Sequence, residues 1–200
     1  MTLVLGLTGG IASGKSTADR FFSQNQVPLI DSDQIAHDLL NVGAAGYAAV
    51  VEQFGPAIVN SDQSINRAKL GQLVFAKPAQ REVLNNITHP LIFREIQTKI
   101  TQNRQAKVPL VVFDAPLLFE SGGQKYCDRT LLIALPAQLQ LERLMARDRL
   151  SRQAALERIH SQMSLAQKAK LADYVIANTG TIEELESKLK KLLGELKKED

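Results

Sequence analysis

Two hundred residues, 44% of them hydrophobic, suffice for one α/β domain with a real core, and no second full domain is expected. A formal net charge of +3 is too weak to imply a nucleic-acid partner, and a single cysteine, Cys127, excludes an internal disulfide framework. No internal repeat or low-complexity linker interrupts the chain.

The apolar run Leu3–Thr8 has no basic flank and leads straight into a glycine-rich segment. It reads as a buried strand, not a targeting or membrane-spanning segment, so a cytoplasmic protein with no membrane partner is expected. The glycine-rich segment, Gly9-x-x-x-x-Gly14-Lys15-Ser16, matches the P-loop spacing. Backbone N–H groups must curl around a polyphosphate there, and side chains on the inner wall would block the approach, so Gly9, Gly10 and Gly14 supply the freedom. Lys15 can reach the β- and γ-phosphates, the Ser16 hydroxyl can ligate Mg²⁺, and a helix opening near Gly14 aims its positive end at the anion. Gly9, Gly10, Ile11, Ala12, Ser13, Gly14, Lys15, Ser16 and Thr17 therefore form a predicted nucleoside-triphosphate site with Ser16 as metal ligand. An incidental glycine turn before a helix is the plain alternative.

Further apolar runs occur at Val27–Asp31, Val108–Asp114, Thr130–Leu135 and Tyr174–Ala177, separated by segments of helical period. Five strands with intervening helices predict a parallel sheet covered on both faces. The second and third runs are too far apart for a single crossover helix, and helix-like stretches near 45–54, 67–76 and 79–103 predict a helical substrate lobe between them. Asp31-Ser32-Asp33 closes the second run, where ligands of an open parallel sheet collect. Asp33 can accept the proton of an attacking hydroxyl or orient it, or it can simply cap the next helix. His89-Pro90 reads as a helix start, with no Cys or second His at zinc-ligand spacing. Asp114 ends a buried-strand pattern, suited either to touching Mg²⁺ through water or to starting a loop.

Residues 142–170 carry seven cations, Arg143, Arg147, Arg149, Arg152, Arg158, Lys168 and Lys170, against three anions, an excess larger than that of the whole chain. Gln140, Arg143 and Arg147 share a helix face, and the guanidinium groups can clamp a phosphoryl group under a closed lid or merely solvate that face. Asn178 and Gly180 come after the last strand, suited to a purine ring or to an ordinary turn. Ile182, Leu185, Leu189, Leu192 and Leu196 give a helix docked on the sheet in preference to a two-heptad coiled coil.

These residues, taken in order over nearly the whole chain, resemble the dephospho-coenzyme A kinases. The resemblance is carried by Leu7–Thr17, Asp31-Ser32-Asp33, Leu70-Gly71 with Val74-Phe75, His89-Pro90-Leu91-Ile92, and Pro116-Leu117-Leu118-Phe119-Glu120. Gln140 with Arg143 and Arg147, then Gln162, and Ala172-Asp173 through Asn178 complete it. It implies transfer of the ATP γ-phosphate to the 3′-hydroxyl of dephospho-coenzyme A, the last step of coenzyme A synthesis. It also implies a P-loop, nucleoside-monophosphate-kinase-like core with strand order 2-3-1-4-5, a helical lobe and a mobile lid. The corresponding division is a core of 1–32, 108–137 and 173–200, a lobe at about 33–107 and a lid at about 138–172. Asp33, Lys15 and Arg147 are the expected catalytic residues. Arg143, Arg147 and Asn178 join the glycine loop in binding ATP, and Asp33, His89 and Leu117 bind the acceptor. A monomer or weak homo-oligomer is expected.

The chain departs from the family pattern at Ala12, where Gly is frequent, and at Ser32, where Ala is; both replacements are small. Asn66 replaces an Asp often found before Arg67. Two competing readings are another P-loop kinase, of shikimate or a nucleoside monophosphate, and a nucleotide-dependent switch. Against the switch, no Asn-Lys-x-Asp motif occurs, and Asp114-Ala115-Pro116-Leu117 lacks the glycine of Asp-x-x-Gly.

Overall fold

The computed structural model describes residues 2–197. Met1 and residues 198–200, which the sequence assigns to the core, lie outside the described residues, as do the side chains of Phe75 and Ala76. The chain divides into two compact units, Met1–Ile30 with Ile100–Asp200, and Asp31–Lys99.

In the first unit, β1 (Leu3–Gly9) lies at the centre of an all-parallel sheet with β2 (Leu29–Asp31), β3 (Leu110–Asp114), β4 (Arg129–Ala134) and β5 (Tyr174–Ala177). The strand order is β2-β3-β1-β4-β5, as the family resemblance implies. β3 is buried at every position and β1 at all but its first, which is why these strands read as continuous apolar runs and not as alternating ones. The register pairs Leu7 with Asp114, so the last residue of β3 sits beside the end of the strand that enters the glycine loop.

Helices α1 (Lys15–Gln24) and α9 (Ile182–Leu196) cover one face, where Phe21, Phe22, Leu185, Leu189 and Leu193 bury against Leu5, Leu7, Leu131 and Ile133. Each such side chain contributes roughly 1.5–3 kcal/mol by leaving water, so the leucine pattern of α9 serves docking on the sheet. Ile182, counted in that pattern, is instead 54% exposed, because it stands in the first turn of α9, before the stripe meets the sheet. Between β4 and β5 run α6 (Ala137–Asp148), α7 (Arg152–His160) and α8 (Leu165–Ala169). Leu141, Leu144 and Ala155 form a small core of their own, against which the glycine-loop residues Ile11 and Ala12 pack.

The second unit holds α2 (Ser32–Asp38), α3 (Tyr47–Phe54), α4 (Arg67–Ala76) and most of α5 (Pro78–Gln105), around Leu40, Val50, Ile58, Ile65, Leu70 and Val74. Asn66 caps α4, its side chain accepting from Lys69 N–H at 3.0 Å. Asn caps as well as Asp, so this departure from the family pattern keeps its local task. His89-Pro90 does not start a helix; Pro90 lies inside the 28-residue α5. Proline removes one i→i−4 hydrogen bond, but Asn86 and Pro90 are both exposed, so the freed carbonyl faces water and the helix continues.

Candidate active site

The glycine loop joins the buried end of β1 to the first turn of α1. Gly14 takes φ 95° at the N-cap, and no side chain caps α1, which leaves the positive end of a ten-residue helix open toward the loop. A Cβ at Gly14 would collide with Asn178 Nδ2, and one at Gly10 would come within 2.6 Å of Gln140 Nε2. Gly14 is held to glycine by its positive φ as well, whereas a side chain at Gly10 would displace the Gln140 amide that packs against the backbone. Ala12 adopts φ 60°, in the left-handed region that favours glycine, so the replacement is small but not free of strain. Ser13 is 1% exposed, and its Oγ is a buried polar atom without a hydrogen-bond partner among the described residues.

Lys15 Nζ lies 2.6 and 2.7 Å from the two oxygens of Asp114 and 3.2 Å from Asp19 Oδ2. Burial by itself lowers the pKa of this ammonium, and the Asp114 and Asp19 carboxylates together more than reverse the effect, so the net displacement is upward. Asp114 is 5% exposed and acts as the buried counter-ion of the loop lysine, a role neither sequence alternative anticipated.

Three side-chain amides grip the loop backbone. Gln140 Nε2 donates to the Ile11 carbonyl at 2.9 Å, Gln162 Oε1 accepts from the Ile11 N–H at 3.1 Å, and Asn178 Nδ2 donates to the Ser13 carbonyl at 2.8 Å. Asn178, expected beside a purine ring, thus directs its amide nitrogen into the loop. Arg143 donates to the Asn178 carbonyl at 3.1 Å and reaches the Gly180 carbonyl at 3.5 Å, so its guanidinium braces the turn after β5. Nothing in the sequence pattern separated these amides from ligand-facing groups, since their partners are backbone atoms on distant segments.

The basic segment resolves into different environments. Arg147 forms two hydrogen bonds to Asp148, at 2.7 and 3.1 Å, and Arg158 reaches the same carboxylate at 2.9 Å. The Arg147 hydrogen bonds hold the Asp148 carboxyl below the usual carboxylate range. Lys168, counted in the sequence as part of a basic face, is fully buried; its Nζ donates to the Pro116 carbonyl at 2.7 Å and pairs with Glu120 Oε1 at 3.0 Å. An ammonium with two such partners tolerates burial that an isolated one would not. Cys127 is chemically quiet, its thiol pushed up to about 12, mainly by burial and then by Asp128 and Asp173.

In the second unit, Asp31 is the N-cap of α2, accepting from the Asp33 and Gln34 N–H groups at 2.8 and 2.9 Å. The capping role weighed for Asp33 belongs to Asp31, and Asp33 stands exposed in the first turn. His89 is half-buried with its ring 6.0 Å from that of Phe93 in an edge-on contact, and burial lowers its pKa. Leu117, in the first unit, is 46% exposed, beside the fully buried Leu118.

The first-unit residues fit a nucleoside triphosphate: an open helix N-terminus, a glycine-lined backbone turn and a lysine already paired with anionic oxygen suit phosphate. Ser16 is exposed at the start of α1. One hydroxyl suffices for Mg²⁺, which takes most of its ligands from water and phosphate. Among the described residues no cluster of three or more His, Cys, Asp or Glu side chains could hold a metal, and no helix is long and apolar enough to cross a membrane.

The family model for dephospho-CoA kinase matches residues 3–184. A dephospho-CoA kinase of Lactobacillus johnsonii is 52% identical, the alignment covering 98% of this chain and 99% of the relative. The solved structure of a Thermus thermophilus protein superposes with a TM-score of 0.81 at 33% identity, covering 98% of both chains. Dephospho-CoA kinase from Campylobacter jejuni gives a TM-score of 0.78 at 30% identity, covering 99% of this chain and 98% of that one. Motif, topology and full-length similarity agree, and the chain belongs to the dephospho-CoA kinase family.

Proposed function

We propose that this protein transfers the γ-phosphoryl group of ATP to the ribose 3′-hydroxyl of dephospho-coenzyme A, releasing ADP and coenzyme A. The observation that carries the reading is the uncapped N-terminus of α1 behind a glycine loop with Lys15 at its mouth, in a chain of this family. Phosphoryl transfer asks little covalent chemistry of a protein; positioning and charge stabilisation do most of the work.

Gly9 through Thr17 bind the phosphates, and Lys15 exchanges its Asp114 partner for β- and γ-phosphate oxygens. Ser16 would hold a Mg²⁺ ion, which would supply charge neutralisation for the transferring group. Asp33 takes the proton from the acceptor 3′-hydroxyl as that oxygen bonds to phosphorus and the bond to the β–γ bridging oxygen breaks. Arg147 and Arg143 serve ATP from the lid, where Arg147 opposes charge developing on the transferring group. His89 and Leu117 contact the acceptor, and Asn178 serves ATP by holding the loop.

The working division is a core of 1–32, 108–137 and 173–200, a substrate lobe at 33–107 and a lid at 138–172. The protein works in the cytoplasm as a monomer or weak homo-oligomer, with no nucleic-acid partner. The test is a panel of acceptor alcohols with Mg-ATP. Dephospho-coenzyme A is expected to be turned over best, and equal or better turnover of shikimate or AMP contradicts the reading. In the same assay Asp33→Asn is expected to lower kcat by roughly 10²–10⁴-fold with ATP affinity retained. An unchanged kcat removes Asp33 from the chemistry.

A further inference from the structure

The two peptide planes flanking the Ile11 Cα are each held by a glutamine from far along the chain. Gln162 Oε1 accepts from the Ile11 N–H at 3.1 Å, and Gln140 Nε2 donates to the Ile11 carbonyl at 2.9 Å. Gln140 is 5% exposed, so its amide does not readily trade this bond for one to water. Gln162 is anchored through its neighbour in the chain. The Met163 N–H donates to Glu120 Oε1 at 2.9 Å, and the same carboxylate oxygen pairs with the buried Lys168 at 3.0 Å. Lys168 also donates to the Pro116 carbonyl at 2.7 Å, as does the Thr8 hydroxyl of β1 at 3.1 Å. The segment after α7 is therefore tied to the loop after β3 and, through Thr8, to the strand that feeds the glycine loop.

A phosphate cradle built from backbone N–H groups fails if a single peptide rotates, because a carbonyl oxygen then faces the anion. The next residue, Ala12, sits at φ 60°, a conformation that persists only when its surroundings impose it. We infer that Gln140 and Gln162 are positioning residues for the triphosphate, locking the planes on either side of Ile11 so that residues 12–16 meet the phosphates already in shape. Neither glutamine needs to touch the nucleotide. The inference rests on the proposed ATP site but not on the identity of the acceptor.

The roles are chemically distinct, a donor at 140 and an acceptor at 162, and this makes them separable. Gln140→Met and Gln162→Met keep the side-chain length and remove the bonds; Gln162→Glu keeps an acceptor. The Kd for Mg-ATP, measured by titration calorimetry, is expected to rise about tenfold in each Met variant. KM for ATP is expected to rise with it, while kcat at saturating ATP falls less than about threefold. Amide exchange at Ile11, monitored by NMR, is expected to be slow in the parent and in Gln162→Glu and faster in Gln162→Met. Parental Mg-ATP affinity in the Met variants, even with a lowered Tm, reduces the glutamines to structural roles and overturns the inference. So does equal Ile11 exchange in Gln162→Met and Gln162→Glu. Should Gln140→Met fail to fold, the two Gln162 variants carry the same decision. If the parent binds Mg-ATP yet phosphorylates no dephospho-coenzyme A, the proposed function falls while these measurements still decide the inference.

Discussion

Around the glycine loop the polar partners are buried or half-buried and come from distant segments: Asp114 for Lys15, Gln140 and Gln162 for Ile11, and Asn178 for Ser13. On the neighbouring helices the charges are denser and their cations face water, with Arg147 of α6 and Arg158 of α7 both reaching Asp148 at the end of α6. The first arrangement fixes backbone geometry before any ligand arrives. The second leaves long, flexible cations free to change partners at little cost, because exposed ion pairs are screened and individually weak. A kinase needs both, a rigid cradle for ground-state phosphate and mobile charge for the transition state.

Breaking the cradle at its lysine tests that contrast most severely. Lys15→Ala removes the phosphate-facing cation and also strands a buried carboxylate. Mg-ATP affinity is expected to fall about a hundredfold or more. Stability without nucleotide is expected to drop by on the order of 3 kcal/mol, read as a lower Tm. Adding Asp114→Asn to the Lys15→Ala variant is expected to restore much of that Tm but none of the binding. An unaltered Tm in Lys15→Ala means that the Lys15–Asp114 pair contributes nothing to the fold as a buried ion pair.

For the arginines the expected pattern is reversed, with kinetics affected and stability spared. Arg147→Lys keeps charge and loses the planar fork, so kcat is expected to fall about tenfold while the Kd for ATP hardly moves. Arg149→Ala is expected to be much milder. Equal silence of the two in steady-state kinetics makes the basic segment a solvated face.

Smaller effects sharpen the comparison further. Ala12→Gly relieves a left-handed backbone conformation that costs an L-residue about 1–2 kcal/mol, and the added freedom of the unfolded chain returns part of the gain. A net stabilisation of up to about 1 kcal/mol is expected by denaturant titration, and a marked destabilisation argues against the strain. The smallest effect belongs to Asp148, whose carboxyl is held low mainly by Arg147. Because its folded pKa is depressed, its contribution to stability is present above the unfolded value of about 3.9 and is lost as pH falls through the folded one. Asp148→Asn is thus expected to change the pH dependence of Tm only below about pH 4. A difference in slope between pH 5 and 9 contradicts that assignment.

Much of this was legible in the sequence because the signals are local. A glycine spacing dictated by phosphate, buried apolar runs and the leucines of α9 each declare themselves within a few residues, and the strand order came from the family resemblance. The illegible part depends on partners brought together by folding. Gln140, Gln162 and Asn178 meet backbone atoms more than a hundred positions away, so nothing in their types pointed to loop bracing, and Asn178 read as a purine contact or a turn. Lys168 looks like one more surface cation until Pro116 and Glu120 surround it. His89-Pro90 misleads because proline's local preference for helix starts yields to a long helix whose freed carbonyl can face water. The sequence offered Asp33 as a helix cap, and the backbone geometry at the end of β2 gives that role to Asp31 instead.

Group transfer from ATP to one particular hydroxyl is read from the product by ³¹P NMR. After incubation of the protein with Mg-ATP and dephospho-coenzyme A, the account predicts stoichiometric ADP and a new phosphomonoester resonance coupled to the ribose 3′ proton. ADP accumulating with only inorganic phosphate, or a monoester at a different hydroxyl, would contradict it.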